Sequence, residues 1–281
     1  MAVIVGSLTI SCGSADEPFG DSSVSASPPA AAPPVQNRRA APVVATYSLP
    51  AGSAPVAIVF DGTNLWTANY DGGSVSRITQ AGVVTSFNLP ARSDPSAITF
   101  DGTNVWTADS GTNTVSRITP AGVITSFELA PRGSPFGIVS DGVNVWTADN
   151  GTSTVSRITP AGVVTSYALP VGSYPFEVAF DGANVWSADN GTSAVSRVTA
   201  AGVVSSYPLP AGSRPQAIVF DGTDLWTANS GTNSISAVNA ATGALVATYA
   251  VDGSPRGLAF DGANLWVTQF EGNAVVKIRI R

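Results

Sequence analysis

Short apolar-rich runs of strand length, broken by Gly, Asp and Pro, follow one another through residues 96–130. Ser96-Ala97-Ile98-Thr99-Phe100 reads as a first strand, and Asp101-Gly102 behind it is a strong hairpin signal. Asn104-Val105-Trp106-Thr107-Ala108 reads as a second, ended by Asp109-Ser110-Gly111. Thr114-Val115-Ser116-Arg117-Ile118-Thr119 is the third and turns at Pro120-Ala121-Gly122. Val123-Ile124-Thr125-Ser126-Phe127-Glu128-Leu129 is the fourth, after which residues 131–135 lead to the next unit.

The unit repeats. An Asp-Gly-x-Asn/Asp-Leu/Val-Trp signature begins at Asp61, Asp101, Asp141, Asp181, Asp221 and Asp261, and the interval between neighbours never changes. It sets Trp66, Trp106, Trp146, Trp186, Trp226 and Trp266, all the tryptophans of the chain, in register. Four short antiparallel strands in a period of roughly 40 residues is the unit of a propeller, so the expected fold is an all-β, six-bladed β-propeller. The sixth copy, from Arg256, shows three strands and ends with residues 274–281. The missing strand stands ahead of the first copy as Val43-Val44-Ala45-Thr46-Tyr47-Ser48-Leu49-Pro50, with Tyr47 placed one full period before Phe87. That N-terminal strand is expected to complete the last blade and close the ring. In the fifth copy the turn Asn239-Ala240-Ala241-Thr242-Gly243-Ala244 is longer and the loop before Pro255 shorter, so the period survives.

Composition narrows the chemistry. A net charge of −6 with pI near 4.5 argues against nucleic acid or an anionic membrane as partner. With 0 histidines there is no Ser-His-Asp or Cys-His catalysis, no imidazole metal ligand and no histidine switch. Cys12 is the single cysteine, which rules out an internal disulfide or a Cys-zinc site. No stretch approaches the roughly 20 apolar residues of a membrane span. Residues 1–12 read as an export or lipoprotein signal: an apolar run from Ala2 to Ile10 precedes Ser11-Cys12-Gly13, with Cys12 as the lipidation site. Thr9 and the lack of a preceding Lys or Arg depart from that pattern, and an ordinary export signal or an untargeted thiol are the alternatives. Residues 13–42, rich in Ser, Ala and Pro, read as a disordered tether, and 43–281 as the propeller.

Arg117-Ile118-Thr119-Pro120-Ala121-Gly122, Phe127 to Leu129, Pro135, Asp141-Gly142 and Trp146-Thr147-Ala148-Asp149 resemble the repeat of the virginiamycin B lyase family of propellers. The resemblance covers 43–281. The fifth and sixth copies look closer to YVTN-type surface propellers, and NHL-type repeats are a further relative. The resemblance implies a magnesium-dependent lyase that opens the ester of streptogramin B antibiotics, with histidines and glutamates at the channel mouth. Where the family often carries His after the proline, this chain has Val56, Ser96, Phe136, Phe176, Gln216 and Arg256. The family's Glu is matched by Asn69, Asp109, Asp149, Asp189, Asn229 and Gln269.

Positions constant among the copies serve the repeat. The tryptophans pack between blades, and each Asp of Asp-Gly belongs to its turn. Arg77, Arg117, Arg157 and Arg197 read as repeated ion pairs or an exposed face, against an anion-binding ring. The ring from Asn69 to Gln269 has two readings. Each side chain accepts a backbone N–H in the Gly-containing turn that follows, or the ring is a polar mouth in which Asp109, Asp149 and Asp189 are metal candidates. Sheets pack roughly 10 Å apart whereas calcium takes oxygens at about 2.3–2.6 Å, which favours the first.

The loops leading into the first strands vary most, and they supply Asp94, Phe136, Tyr174, Phe176, Glu177, Arg214, Gln216 and Arg256. Phe270 and Glu271 stand on the same face. Together these form a candidate ligand site with an apolar and a charged side, or they reflect drift in unselected loops. The expected function is an exported, envelope-anchored binding or scaffold propeller of a bacterial surface. It would be a monomer without cofactor, taking a small molecule, glycan or protein at its mouth and meeting the membrane only through Cys12. The alternatives are a divergent metal-dependent lyase using magnesium, with Glu177 or a ring aspartate as base, and a purely structural surface module.

Overall fold

The computed structural model describes residues 45–280. Blade one consists of β1 (Pro55–Phe60), β2 (Leu65–Asn69), β3 (Ser74–Ile78) and β4 (Val84–Asn88). Blade two holds β5 (Pro95–Phe100), β6 (Val105–Asp109), β7 (Thr114–Ile118) and β8 (Ile124–Glu128). Blade three has β9 (Pro135–Ser140), β10 (Val145–Asp149), β11 (Thr154–Ile158) and β12 (Val164–Ala168). Blade four has β13 (Pro175–Phe180), β14 (Asn184–Asp189), β15 (Ala194–Thr199) and β16 (Val204–Pro208). Blade five follows with β17 (Pro215–Phe220), β18 (Asp224–Asn229), β19 (Ser234–Asn239) and β20 (Leu245–Ala250). Blade six has β21 (Pro255–Phe260), β22 (Asn264–Gln269) and β23 (Ala274–Arg279). Strands pair antiparallel in chain order within each blade, and the first strands of consecutive blades lie against one another. The strands expected over 96–130 are recovered with their ends shifted only slightly.

The core lies between blades. Trp66, Ala68, Val75 and Leu89 of blade one pack on Ile98, Val105 and Ile118 of blade two, and the same set recurs at every following junction. The Asp-Gly turns do more than reverse the chain. Asp61 Oδ1 accepts the N–H groups of Thr63 and Asn64, while Oδ2 accepts the indole N–H of Trp66 at 2.6 Å. In blade one the hairpin turn expected at Asp-Gly spans 61–64, closed by the Asp61 N–H on the Asn64 carbonyl at 3.1 Å, and its carboxylate fixes the tryptophan that fills the junction. All six copies repeat the Asp–Trp bond. Desolvation works against ionisation of Asp61, Asp141 and Asp181, yet the N–H donors together hold their carboxyls below the ordinary range.

The repeated arginines make no ion pair among the described residues. The Arg77 guanidinium sits 5.7 Å from both the Trp66 and Phe87 rings, and its Nη1 donates to Pro120 O of the next blade at 2.9 Å. Arg117, Arg157 and Arg197 lie in the same layer between Trp and an aromatic. The expected ion pairs are thus replaced by a cation held against two ring faces.

The closing strand expected at 43–50 is not formed by those of its residues that are described. Residues 45–50 carry no strand, and β21–β23 make a three-stranded sheet. Five core clusters join the six blades, and none among the described residues joins blade six to blade one. Trp266 is 38% exposed where its five equivalents are at most 6%, and Leu65 is 40% exposed where its equivalents are at most 2%. With no such cluster among the described residues, nothing sets the segment before Pro55 beside β23 as each other fourth strand is set beside its third. The expected signal at 1–12, the tether at 13–42 and Cys12 lie outside the described residues, as do Val43, Val44 and Arg281.

Candidate functional site

Each first strand starts with the same three-residue device. The residue before the proline is left-handed: Ala54, Asp94, Ser134, Tyr174, Arg214 and Ser254 have φ between 45° and 55°. The proline pairs with the end of the second strand, and the residue after it is an extra one in the register. Pro175 faces Asp189 and Glu177 faces Ala188, which leaves Phe176 as a bulge. Val56, Ser96, Phe136, Gln216 and Arg256 are bulged in the same way.

The repeat supplies the hydrogen bonds that hold this backbone. Tyr174 N donates to Ser153 Oγ and Arg214 N to Ser193 Oγ, each at 3.3 Å. Ser134 N and Ser254 N donate to Asn113 and Asn233 Oδ1 at 2.8 and 2.9 Å. On the other side Ser110, Asn150, Ser230 and Phe270 donate their N–H groups to the carbonyls of Asp94, Ser134, Arg214 and Ser254. Non-glycine residues rarely adopt this conformation. Here backbone groups and repeat side chains impose it, so the variable side chains are not what fixes it. They change from blade to blade on a constant frame.

The expected site residues fall into several groups. Phe136 and Phe176 meet with ring centroids 5.3 Å apart, an aromatic sector on blades three and four beside half-exposed Tyr174. Arg256 lies 3.6 Å over the Phe270 ring on blade six. Exposed Arg214 and half-buried Gln216 stand between them on blade five, with Gln216 Nε2 donating to Ser230 Oγ at 3.1 Å. Asp94, Tyr174 and Arg214 lie across Gly111, Gly191 and Gly231, where any Cβ would crowd them. Asp94 is thereby set apart on blade two, and exposed Glu271 closes a turn through its backbone.

Glu177 does not join the mouth in the way expected. It occupies a position that is Ala or Gly in the other blades, and its Oε2 accepts the N–H of Ile218 on β17 at 3.0 Å. It straps two inner strands together, and desolvation pushes its carboxyl up to about 7.

The metal candidates are structural. Asp109, Asp149 and Asp189 are fully buried, and each accepts the hydroxyl of Ser116, Ser156 or Ser196 on the next strand of its own blade. Their partners are these hydroxyls, not the turn N–H groups expected. Burial raises their carboxyls to about 6, 6 and 7. No three His, Cys, Asp or Glu side chains gather as a ligand set among the described residues. A magnesium site as the resemblance implies does not fit these residues.

Nothing in the sequence points to the device itself, because one extra residue in a register shows only once its partners are known. The proline at a fixed place before every first strand is the available signal. A depression of about 300 Å³ at the opposite face, lined by Asp141, Trp146, Phe180, Val185 and Val198 between blades three and four, also has no signature in the sequence.

The model of the virginiamycin B lyase family matches residues 37–150 and again 140–281. The chain belongs to the virginiamycin B lyase family. Virginiamycin B lyase from Staphylococcus aureus is similar at 24% identity and a TM-score of 0.74, over 83% of this chain and 86% of that one. A catalytically inactive variant of the Staphylococcus aureus lyase, solved with quinupristin, is 25% identical at a TM-score of 0.73, over 83% and 87%. A putative 6-phosphogluconolactonase from Bacteroides uniformis shares the fold at 17% identity and a TM-score of 0.62, over 79% of each chain. No curated protein sequence matches. The chain has no histidine, and its six bulge positions carry Val56, Ser96, Phe136, Phe176, Gln216 and Arg256.

Proposed function

We propose that this propeller is an exported, envelope-anchored binding protein that takes a ligand at its channel mouth. The observation that carries the reading is the constant backbone frame with variable side chains, which is how recognition surfaces are built on rigid scaffolds. The side chains suit a ligand with an aromatic or apolar group and an anionic group. The first would rest on Phe136, Tyr174 and Phe176, and the second would meet Arg214 and Arg256. Cys12 would carry the lipid, with 13–42 as the tether. Membrane partitioning that is lost in Cys12→Ser tests the anchor, and intact Met1 on cytosolic protein would refute it.

A second reading, a divergent lyase, is favoured by Glu177, whose carboxyl near pH 7 suits a general base. The full chain titrated with a streptogramin B depsipeptide, with and without magnesium, separates the two. Binding of intact depsipeptide, weakened at least tenfold by Phe176→Ala and Arg256→Ala with an unchanged melting temperature, supports the binding protein. Ring-opened product in the mass spectrum, abolished by Glu177→Gln, supports the lyase and overturns the first reading.

A further inference from the structure

The five junctions that carry a core cluster are built from one set of positions, so their side chains can be compared one for one. Three of these positions belong to the receiving blade: one at the start of its second strand, one near the end of its third, and the residue two places on. They read Val105, Ile118 and Pro120 in blade two, and Val145, Ile158 and Pro160 in blade three. Blade five has Leu225, Val238 and Ala240, and blade six has Leu265, Ile278 and Ile280. Blade four carries Val185, Val198 and Ala200, the smaller choice at all three. Interiors are close-packed, so carbons missing from a repeated interface leave room. The depression of about 300 Å³ lies at this junction, and Val185, Val198 and Ala200 line it.

Its surface is apolar with acceptors at the edge. Trp146 of blade three and Phe180 of blade four add aromatic area, and Val143, 68% exposed, brings an apolar side chain to a position that holds Thr or Ala in the other blades. Among the polar side chains of the lining, the Trp146 indole and the Asn144 amide both donate to Asp141 Oδ2, at 2.7 and 3.1 Å. The Asp141 carboxyl is held below its ordinary range, so it is anionic at neutral pH. Ala200 adds a second acceptor. Its equivalents Pro120 and Pro160 give their carbonyls to Arg77 and Arg117 at 2.9 and 2.8 Å, whereas Arg157, held over Trp146 and Tyr167, makes no such bond among the described residues. No cationic side chain of the described residues lines the depression. Apolar surface beside a carboxylate and an unclaimed carbonyl calls for a ligand that is apolar at one end and donates from the other.

We propose that this depression is a second ligand site, for a small amphiphilic cation: a phenyl- or indole-sized apolar group that carries a primary ammonium. The ring takes the space left by Val185, Val198 and Ala200, against Trp146 and Phe180, and its burial drives binding. The ammonium stays at the open side, where Asp141 and the Ala200 carbonyl accept its hydrogen bonds and water still reaches it, so little of its charge is desolvated. The Asp–Trp bond recurs in all six blades, so the carboxylate by itself would mark every junction alike. The smaller set of three selects this one. The site lies on the face remote from the mouth and prefers the opposite charge, since Arg214 and Arg256 suit an anion. It therefore stands whether or not the mouth binds a ligand.

The test is isothermal titration of the full chain with phenethylamine, and in parallel with hydrocinnamate and phenethyl alcohol, which keep the ring and change the charge. Phenethylamine should saturate a single site, with the anion and the neutral alcohol weaker by about tenfold or more. Two variants fill the depression with side chains the chain already uses. Val185→Leu reproduces the set of blade five, and Val198→Ile with Ala200→Pro reproduces that of blades two and three. Each should weaken phenethylamine by about tenfold or more while the melting temperature is kept or raised. Should one of them fail to fold, the other carries the test. Phe176→Ala and Arg256→Ala, at the mouth, should leave phenethylamine binding unchanged. No saturable binding up to about 10 mM would overturn the proposal. So would binding that survives both fillings, binding lost in Phe176→Ala, or equal affinity for the anion or the alcohol.

Discussion

Asp149→Asn is the most direct probe of the buried carboxylates, because the chain already contains the comparison. Asp149 accepts hydroxyl bonds from Thr147 at 2.7 Å and Thr154 at 3.0 Å, and from Ser156. Blade one has Asn69 at this place. Its amide oxygen accepts from Thr67 at 2.9 Å, and its Nδ2 donates to Ser74 at 3.1 Å and Ser76 at 2.8 Å. Ser76 goes on to Ser86 at 2.7 Å, as Ser156 goes on to Ser166 at 2.8 Å. An amide thus serves the same three hydroxyls without a buried charge. Burial raises the carboxyl of Asp149 from 3.8 to about 6, so the folded state holds this proton more tightly than the unfolded chain does. Its contribution to stability is complete below pH 3.8 and is lost as the pH rises through 6. A displacement of that size corresponds to about 3 kcal/mol. Asp149→Asn is therefore expected to leave stability nearly unchanged near pH 4 and to raise it by up to about 3 kcal/mol near pH 8. Urea denaturation of both proteins at the two pH values measures this. A loss of stability near pH 8, or an equal gain at both, would refute the reasoning.

Trp146→Ala empties a junction and should destabilise by about 3–5 kcal/mol in the same assay. Arg117→Ala removes the cation between Trp106 and Phe127 and its bond to Pro160 O, and a loss of about 1–2 kcal/mol is expected by thermal unfolding. Asp141→Ala leaves the Trp146 indole and the N–H groups of Val143 and Asn144 without their acceptor, and should lower stability near pH 7 by about 2 kcal/mol. Because the Asp141 carboxyl is held below its ordinary value, its contribution is present above that value and lost as the pH falls, so the deficit of Asp141→Ala should shrink in acid.

The strands and the tryptophan core are legible in the sequence because both follow from local pattern, and a fixed period shows that pattern six times. What the sequence hides depends on partners far along the chain. Arg77 visibly recurs, but nothing local says that Phe87 and the Pro120 carbonyl flank it. Asp109 visibly recurs with Asp149, but its burial against Ser116 is a matter of which way a strand end faces. Disagreement among the copies marks the entry loops as variable, and there Phe136 and Phe176 do meet. Glu177 departs from expectation because a residue next to a bulge points to the opposite side from the one a simple alternation assigns. The segment expected to close the ring has suitable residues, but pairing also requires that two distant parts of the chain come together, and no local pattern encodes that.

The left-handed residue before each proline sets the alphabet in which the mouth can be rewritten. Ala, Asp, Ser, Tyr, Arg and Ser occupy it, and no β-branched residue does. Such a side chain would crowd its own backbone at positive φ. The bulge two places further on has no such restriction and takes Val in blade one. A combinatorial library on this scaffold would thus draw on two kinds of position in every blade, one barred to Val, Ile and Thr and one open to them. New specificities would be written into a frame whose folding does not depend on the text.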